Sequence, residues 1–194
     1  KYGCEDTLFF PNSVDTDYYR FSSKKRACIR RHLGFRGNDF VLACSGVIEP
    51  WVDFDLILKG MQNCIDSKLQ VKLLVIGSSI TGYDKELIAM TKEYALQDRV
   101  FFTGQVESEE IPAYLSVADT GIVAYARDQF NSRVRLPVKL FEYSSLGLPV
   151  LSTPLDEIRA LDPEHVFYFD DPYSFAKEVD RIMSADHIAS YRSR

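Results

Sequence analysis

Six short apolar runs punctuate the chain. They are FVLACSG (Phe40 to Gly46), VKLLVIG (Val71 to Gly77), RVFFTG (Arg99 to Gly104), DTGIVAY (Asp119 to Tyr125), LPVLST (Leu148 to Thr153) and HVFYF (His165 to Phe169). Most are near-continuous rather than alternating in polarity, which marks strands buried on both faces, as in a parallel sheet. Between them the apolar positions switch to spacings of three and four. Phe54, Ile57, Leu58 and Met61 predict a helix over Trp51 to Ser67. Further helices are predicted over Tyr83 to Leu96, Ile111 to Val117, Val138 to Leu146 and Tyr173 to Met183, with an earlier one near Ser22 to Leu33 ending at Gly34. Strand and helix alternating in this way predict right-handed βαβ units. The fold class is α/β, a doubly wound parallel sheet of about six strands with helices on both faces.

That architecture says where to look for a site. In open parallel sheets ligands bind outside the carboxyl ends of the strands, near helix N-termini. The segments to inspect therefore follow Gly46, Gly77, Gly104, Tyr125 and Thr153. The loop after Tyr125 stands out because the helix it feeds starts at Pro137, a residue suited to the first helical position. Yet Lys139 lies in the first turn, the positive end of the helix dipole, where a cation is disfavoured. Arg127, Arg133 and Arg135 precede it against the single acid Asp128. A helix start is already an anion site, through its unpaired N–H groups and its dipole. Lys139 and Glu142 are three apart and share a face. A cation and amides for phosphate, with a carboxylate for ribose hydroxyls, suit a nucleoside diphosphate. An ordinary surface ion pair, worth ~0.5 kcal/mol, accounts for the same spacing.

The other strand ends carry weaker signals. VIGSSITG (Val75 to Gly82) is a Gly-rich turn but lacks a lysine and the full GxGxxG pattern, so a plain strand-to-helix turn is expected. Gly46 ends the first strand, where a ligand can approach the backbone closely. Glu49, Asp53 and Asp55 follow it, and the two aspartates are read as helix-start carboxylates favoured by the dipole. After Gly104, Gln105 and Val106 fall in the strand-end crevice, where backbone groups can read a flat base.

Composition narrows the classes. The chain has 194 residues, 46% hydrophobic and 26% charged, enough for a full core in one domain. A net charge of −5 argues against a general nucleic-acid or anionic-membrane binder. Cys4, Cys28, Cys44 and Cys64 form no CxxC pair, and His32, His165 and His187 are scattered, so no metal site is expected. Cys44 and Cys64 sit in apolar runs, as in a reducing compartment. No run approaches a membrane span, and there is neither a GxSxG elbow nor an HExxH motif.

Taken in order, PNSVDTDYYRF, SGVIEPWVDFDLIL, VKLLVIG, RVFFTGQVESEEIPAYLSVADTGIVAY and LPVKLFEYSSLGLPVLST resemble the carboxyl-terminal half of a GT-B-fold glycosyltransferase of the group 1 type, which retains stereochemistry. The resemblance implies a lead-in segment over residues 1–20 and a Rossmann-like domain over residues 21–194. It implies a nucleotide diphosphate-sugar donor, UDP- or GDP-linked, bound without a metal or other cofactor. Lys139 then meets phosphate beside the amides of Val138 and Leu140, and Glu142 matches the ribose glutamate. Gln105 and Val106 match the turn that holds the base, Tyr125 lies at the start of the sugar-proximal loop, Gly46 lies under the donor, and Arg133 and Arg135 assist.

Two departures are visible. Many members carry a second glutamate eight positions before the ribose one, where this chain has Val134. Many also carry an Arg and a Lys after the first strand, where Val47 and EPWVD stand here. The pattern resembles a divergent branch seen in bacterial surface-polysaccharide assembly. An acceptor glycan or lipid-linked sugar is expected on a preceding domain outside this chain, so no catalytic residue is assigned. The resemblance implies a cytoplasmic enzyme, peripheral to the inner membrane face. Two rival readings stay open: a nucleotide-sugar epimerase of the same fold, and a non-catalytic binding or assembly module.

Overall fold

The structure is a computed structural model that describes residues 12–126, 136–161 and 163–184. Six strands form one parallel sheet in the order β3-β2-β1-β4-β5-β6. They are β1 (Phe40–Ser45), β2 (Val71–Ile76), β3 (Val100–Phe102), β4 (Thr120–Val123), β5 (Val150–Ser152) and β6 (Val166–Tyr168). Every predicted apolar run contains one of them. β1 and β2 pair over their full length, from Phe40 opposite Val71 to Ser45 opposite Ile76.

Continuous apolar runs make sense because alternate residues feed two separate cores. Phe40, Leu42 and Cys44 point into one, with Leu73 and Val75 of β2. That core is covered by α2 (Phe54–Asp66), α3 (Tyr83–Glu93) and α7 (Pro172–Ser184), through Phe54, Ile57, Leu87, Phe175 and Val179. Val41 and Ala43 point to the opposite core, with Leu74 and Ile76. There α4 (Ile111–Leu115), α5 (Val138–Ser145) and α6 (Asp156–Leu161) contribute Leu115, Leu140, Tyr143 and Ile158. The remaining helix, α1 (Ser23–His32), is capped by Ser22, whose side chain accepts the Lys25 N–H at 3.2 Å.

Some boundaries differ from expectation, each for a local reason. α2 starts at Phe54 rather than Trp51, because Val52 bridges to Tyr125 in extended form and Asp53 caps the helix on Leu56 N at 3.0 Å. α3 stops at Glu93 because Ala95, at φ 53°, turns the chain away. Pro137 is the cap of α5 and extended (ψ 136°), so Val138 takes the first helical position. α6, six residues long, was not foreseen. Among the described residues no helix is long and apolar enough to cross a membrane.

Candidate functional site

Strand order reverses between β1 and β4, so their connections leave on opposite sides and open a crevice outside their carboxyl ends. A recess of about 30 Å³ lies there. Cys44 and Ser45 of β1, Ala124 and Tyr125 beyond β4, and Lys139 of α5 line it.

Its floor is backbone. Gly46 leaves β1 at φ 125° and Gly77 leaves β2 at φ 132°, conformations that L side chains rarely adopt. The two approach so closely that a Cβ on Gly77 would collide with the Gly46 carbonyl. Gly46 N donates to Ile76 O at 2.9 Å and Gly77 N to Gly104 O at 3.1 Å. Gly104, Gly77 and Gly46 thus make a continuous ledge, and Lys139 lies over its end. A Cβ on Gly46 would stand 3.1 Å from Lys139 Cε. Gln105, exposed, and Val106, half-buried, follow directly at the far end of the ledge.

The wall above the ledge is α5. No side chain caps this helix, so the first-turn N–H groups of Val138 and Lys139 have no intrahelical carbonyl. Leu140 contributes less than expected to an anion, since its N–H donates to Pro137 O at 3.1 Å and its side chain is in the core. Lys139 Nζ donates to both oxygens of Glu142, at 3.1 and 2.9 Å. Glu142 is only 5% exposed, so the pair is not the solvated surface contact that the spacing alone also allowed. A buried carboxylate is costly without a partner, and the lysine ammonium supplies one.

Deeper in the same wall, the Tyr143 hydroxyl accepts the Ser45 N–H at 3.1 Å and shares a 3.0 Å hydrogen bond with Ser45 Oγ. Burial drives its pKa well above the usual phenol value. The bond ties α5 to the last residue of β1, fixing Lys139 over Gly46. Tyr125 N donates to Thr153 Oγ1 at 3.2 Å and pairs with Val52, so the chain leaving β4 is pinned between β5 and the start of α2. Arg133 and Arg135 lie outside the described residues, as do Val134 and Arg127.

Two neighbours of the site carried little signal in the sequence. Glu49 is buried, and its carboxylate accepts from Ile80 N (2.7 Å), Thr81 N (3.0 Å), Ser79 Oγ (3.0 Å) and Thr81 Oγ1 (2.6 Å). The Thr81 hydroxyl foremost, with the two amides and Ser79, brings its pKa from 4.5 down to about 2. It locks the loop after β1 to the loop after β2. Asp53 and Asp55 are helix-start groups, as expected: Asp53 caps α2, and Asp55 binds Lys59 and Tyr94. The second neighbour is Tyr19. Burial first, then the charge of the Glu142 carboxylate, push its pKa up to about 12. Among the described residues no group of three or more His, Cys, Asp or Glu could hold a metal ion. The most spacious cavity described, of about 660 Å³, lies elsewhere, between Thr16, Arg20 and the C-terminal end of α5.

Comparison with known proteins bears on this geometry. The profile of the family described as glycosyl transferases group 1 matches residues 39–185. A Bacillus subtilis glycosyltransferase named for teichuronic acid biosynthesis is 27% identical over 179 residues, covering 91% of this chain and 43% of the relative. A Mycolicibacterium smegmatis GDP-mannose-dependent alpha-(1-6)-phosphatidylinositol monomannoside mannosyltransferase is 24% identical, over 73% of this chain and 37% of its own length. The chain therefore spans less than half the length of these curated relatives. Among solved structures, Anabaena HepE in complex with UDP and glucose superposes with a TM-score of 0.74 at 22% identity, over 94% of this chain and 50% of that one. This likeness shows the fold: one Rossmann-like half of a larger two-domain architecture.

Proposed function

The chain belongs to the glycosyl transferases group 1 family, and we propose that it is the donor-binding half of an enzyme that transfers a sugar from a nucleoside diphosphate-sugar to an acceptor in surface polysaccharide or glycan synthesis. The observation that carries this reading is the pair of half-buried Lys139 and buried Glu142 at the start of α5, over the Gly46 ledge and at the strand switch point.

Lys139 and Glu142 satisfy each other. A diphosphate entering over Gly46 competes for the Lys139 ammonium and for the free amides of the first turn of α5. Glu142, released from Lys139, accepts hydrogen bonds from ribose hydroxyls. The base lies along the ledge toward Gln105 and Val106. The sugar points toward Tyr125. When the bond to the sugar breaks, negative charge grows on the departing diphosphate. A fixed ammonium and oriented N–H groups stabilise that charge more than the ground state, which is what accelerates the step. The acceptor, a glycan or lipid-linked sugar, comes from the other half of the enzyme. The donor is a UDP- or GDP-sugar drawn from the cytoplasm: UDP is bound in the Anabaena structure, and the Mycolicibacterium relative is named as GDP-mannose-dependent.

Calorimetric titration of the chain with UDP, GDP, ADP and TDP tests the reading. One diphosphate should bind in preference to the others, and Glu142→Ala should weaken it by roughly tenfold or more, the value of a hydrogen bond to a charged group. Indifference to all four would sink the donor-site assignment and favour a binding or assembly module.

A further inference from the structure

Charge is unevenly placed along this chain. From Tyr18 to Asn38 there are seven lysines and arginines and no aspartate or glutamate, although the whole chain carries −5. Most of these cations stand on α1, whose last turn holds Arg30, Arg31 and His32. The helix dipole favours cations there. It does not account for Lys24 and Lys25 in the first turn, where cations are disfavoured, nor for Arg36, which lies past the helix end.

Two of the arginines have structural partners. Arg26 donates to the Ser116, Val117 and Ala118 carbonyls at 3.0, 2.5 and 2.7 Å and to Asp119 Oδ1 at 2.7 Å. Arg30 donates to Val117 O at 2.9 Å, to Asp39 O at 2.5 Å and to Asp119 Oδ2 at 3.3 Å. These bonds lay α1 across the segments that precede β1 and β4, at the amino edge of the sheet. The donor crevice is at the opposite edge. Asp119 serves both guanidiniums, and the Asp39 carboxylate accepts the Arg36 N–H at 2.7 Å. Arg31 and Arg36 are exposed, and among the described residues their guanidiniums pair with no carboxylate.

Between α1 and the turn into β1, these four arginines line a cavity of about 410 Å³ that no acidic residue lines. The buried Phe35 ring forms part of its wall, with the Arg30 guanidinium 5.9 Å from the ring centroid. Burial first, then the neighbouring Arg26, lower the Arg30 pKa from the ordinary guanidinium value. An anion in the cavity would offset both. Guanidinium forks match phosphate oxygens in pairs, and the attraction is stronger where an apolar wall displaces water.

We propose that this cavity is an anion site separate from the donor crevice, taking a phosphomonoester or pyrophosphate group through Arg31 and Arg36, with Arg26 and Arg30 held behind them. Free pyrophosphate and the phosphate headgroup of an anionic lipid offer this same chemistry. The proposal stands independently of the donor-site reading, since the two sites share no residue.

The test follows the amide resonances of the isotopically labelled chain during titration with inorganic pyrophosphate at constant ionic strength. The amides of Ala27, Arg31 and Gly37 should shift and saturate, in wild type and in Lys139→Ala alike. In a variant carrying both Arg31→Ala and Arg36→Ala the affinity read from those shifts should fall by about tenfold or more. Sedimentation with vesicles then separates the sources. If the group arrives on a lipid, wild type should bind phosphatidylcholine vesicles containing phosphatidic acid but not phosphatidylcholine alone, and the double variant should bind neither. Pyrophosphate binding without vesicle binding assigns the site to a free anion. Either result supports the cavity. No saturable shift at Ala27, Arg31 and Gly37, or a response that the double variant keeps in full, overturns it. So does vesicle binding without a pyrophosphate response, because diffuse attraction to a charged surface needs no cavity. If the shifts vanish in Lys139→Ala, pyrophosphate occupies only the donor crevice; this proposal falls and the donor reading stands.

Discussion

At the scale of single residues, the account turns on a lysine in a disfavoured position. The first turn of a helix repels a cation, and Lys139 is tolerated there because Glu142 holds its ammonium. A diphosphate offers that ammonium more negative charge than one carboxylate does. Lys139→Ala should therefore weaken nucleoside diphosphate binding by roughly tenfold to a hundredfold, while the parent nucleoside, which has no phosphate, should change by less than about threefold. Titration of both ligands against the variant reads this directly, and equal losses would contradict the phosphate role. The pair was legible in the sequence because its partners are three apart on one helix face. Its burial was not, since that depends on how α5 packs against β4 and β5. Tyr19 and Glu142 are far apart in the chain, and nothing local in PNSVDTDYYRF marks the second tyrosine. Leu140 shows the reverse case: its position at a helix start suggested a free amide, and the turn at Pro137 engages it.

At the scale of elements, six apolar runs announced six parallel strands because each strand feeds cores on both faces. The helices were legible wherever three or more turns displayed their period. The short α6 and the exact start of α2 were not, because a cap and a bridge to Tyr125 decide them. The loops at the strand ends depended on contacts between distant segments. Glu49 is the clearest example: it binds residues about thirty positions away and joins the loops after β1 and β2. Its depressed pKa has a consequence for stability. The folded chain prefers the charged form more than the unfolded chain does. The contribution is therefore complete above the ordinary carboxylate value of 4.5 and is lost progressively as pH falls toward about 2. Glu49→Gln should lower the melting temperature by several degrees at neutral pH and flatten that acid limb. Thermal melts across the acid range check both effects, and an unchanged acid limb would show that the loop tie is not Glu49's.

At the scale of the molecule, the chain is one Rossmann-like unit that spans less than half of its curated relatives, and the role proposed for this unit is to hold a donor. The sequence offered five strand ends as places for a site; the strand order, visible only in the fold, singles out the crevice between β1 and β4. The volume of a cavity was no guide. The most spacious one described lies by the C-terminal end of α5, with Ser144 to Leu148 and His165 on its walls. The site at the start of α5 has little enclosed space, but it has the ammonium, the carboxylate and the backbone ledge that a diphosphate and a ribose require.

The most direct measurement is therefore one that locates the ligand. Amide resonances of the isotopically labelled chain would be followed during titration with the preferred nucleoside diphosphate. The account predicts progressive shifts at Gly46, Tyr125, Val138, Lys139 and Glu142, with Gln105 and Val106 responding to the base. Shifts confined to Ser144 through Leu148 and His165, or no shift anywhere at saturating nucleotide, would contradict it.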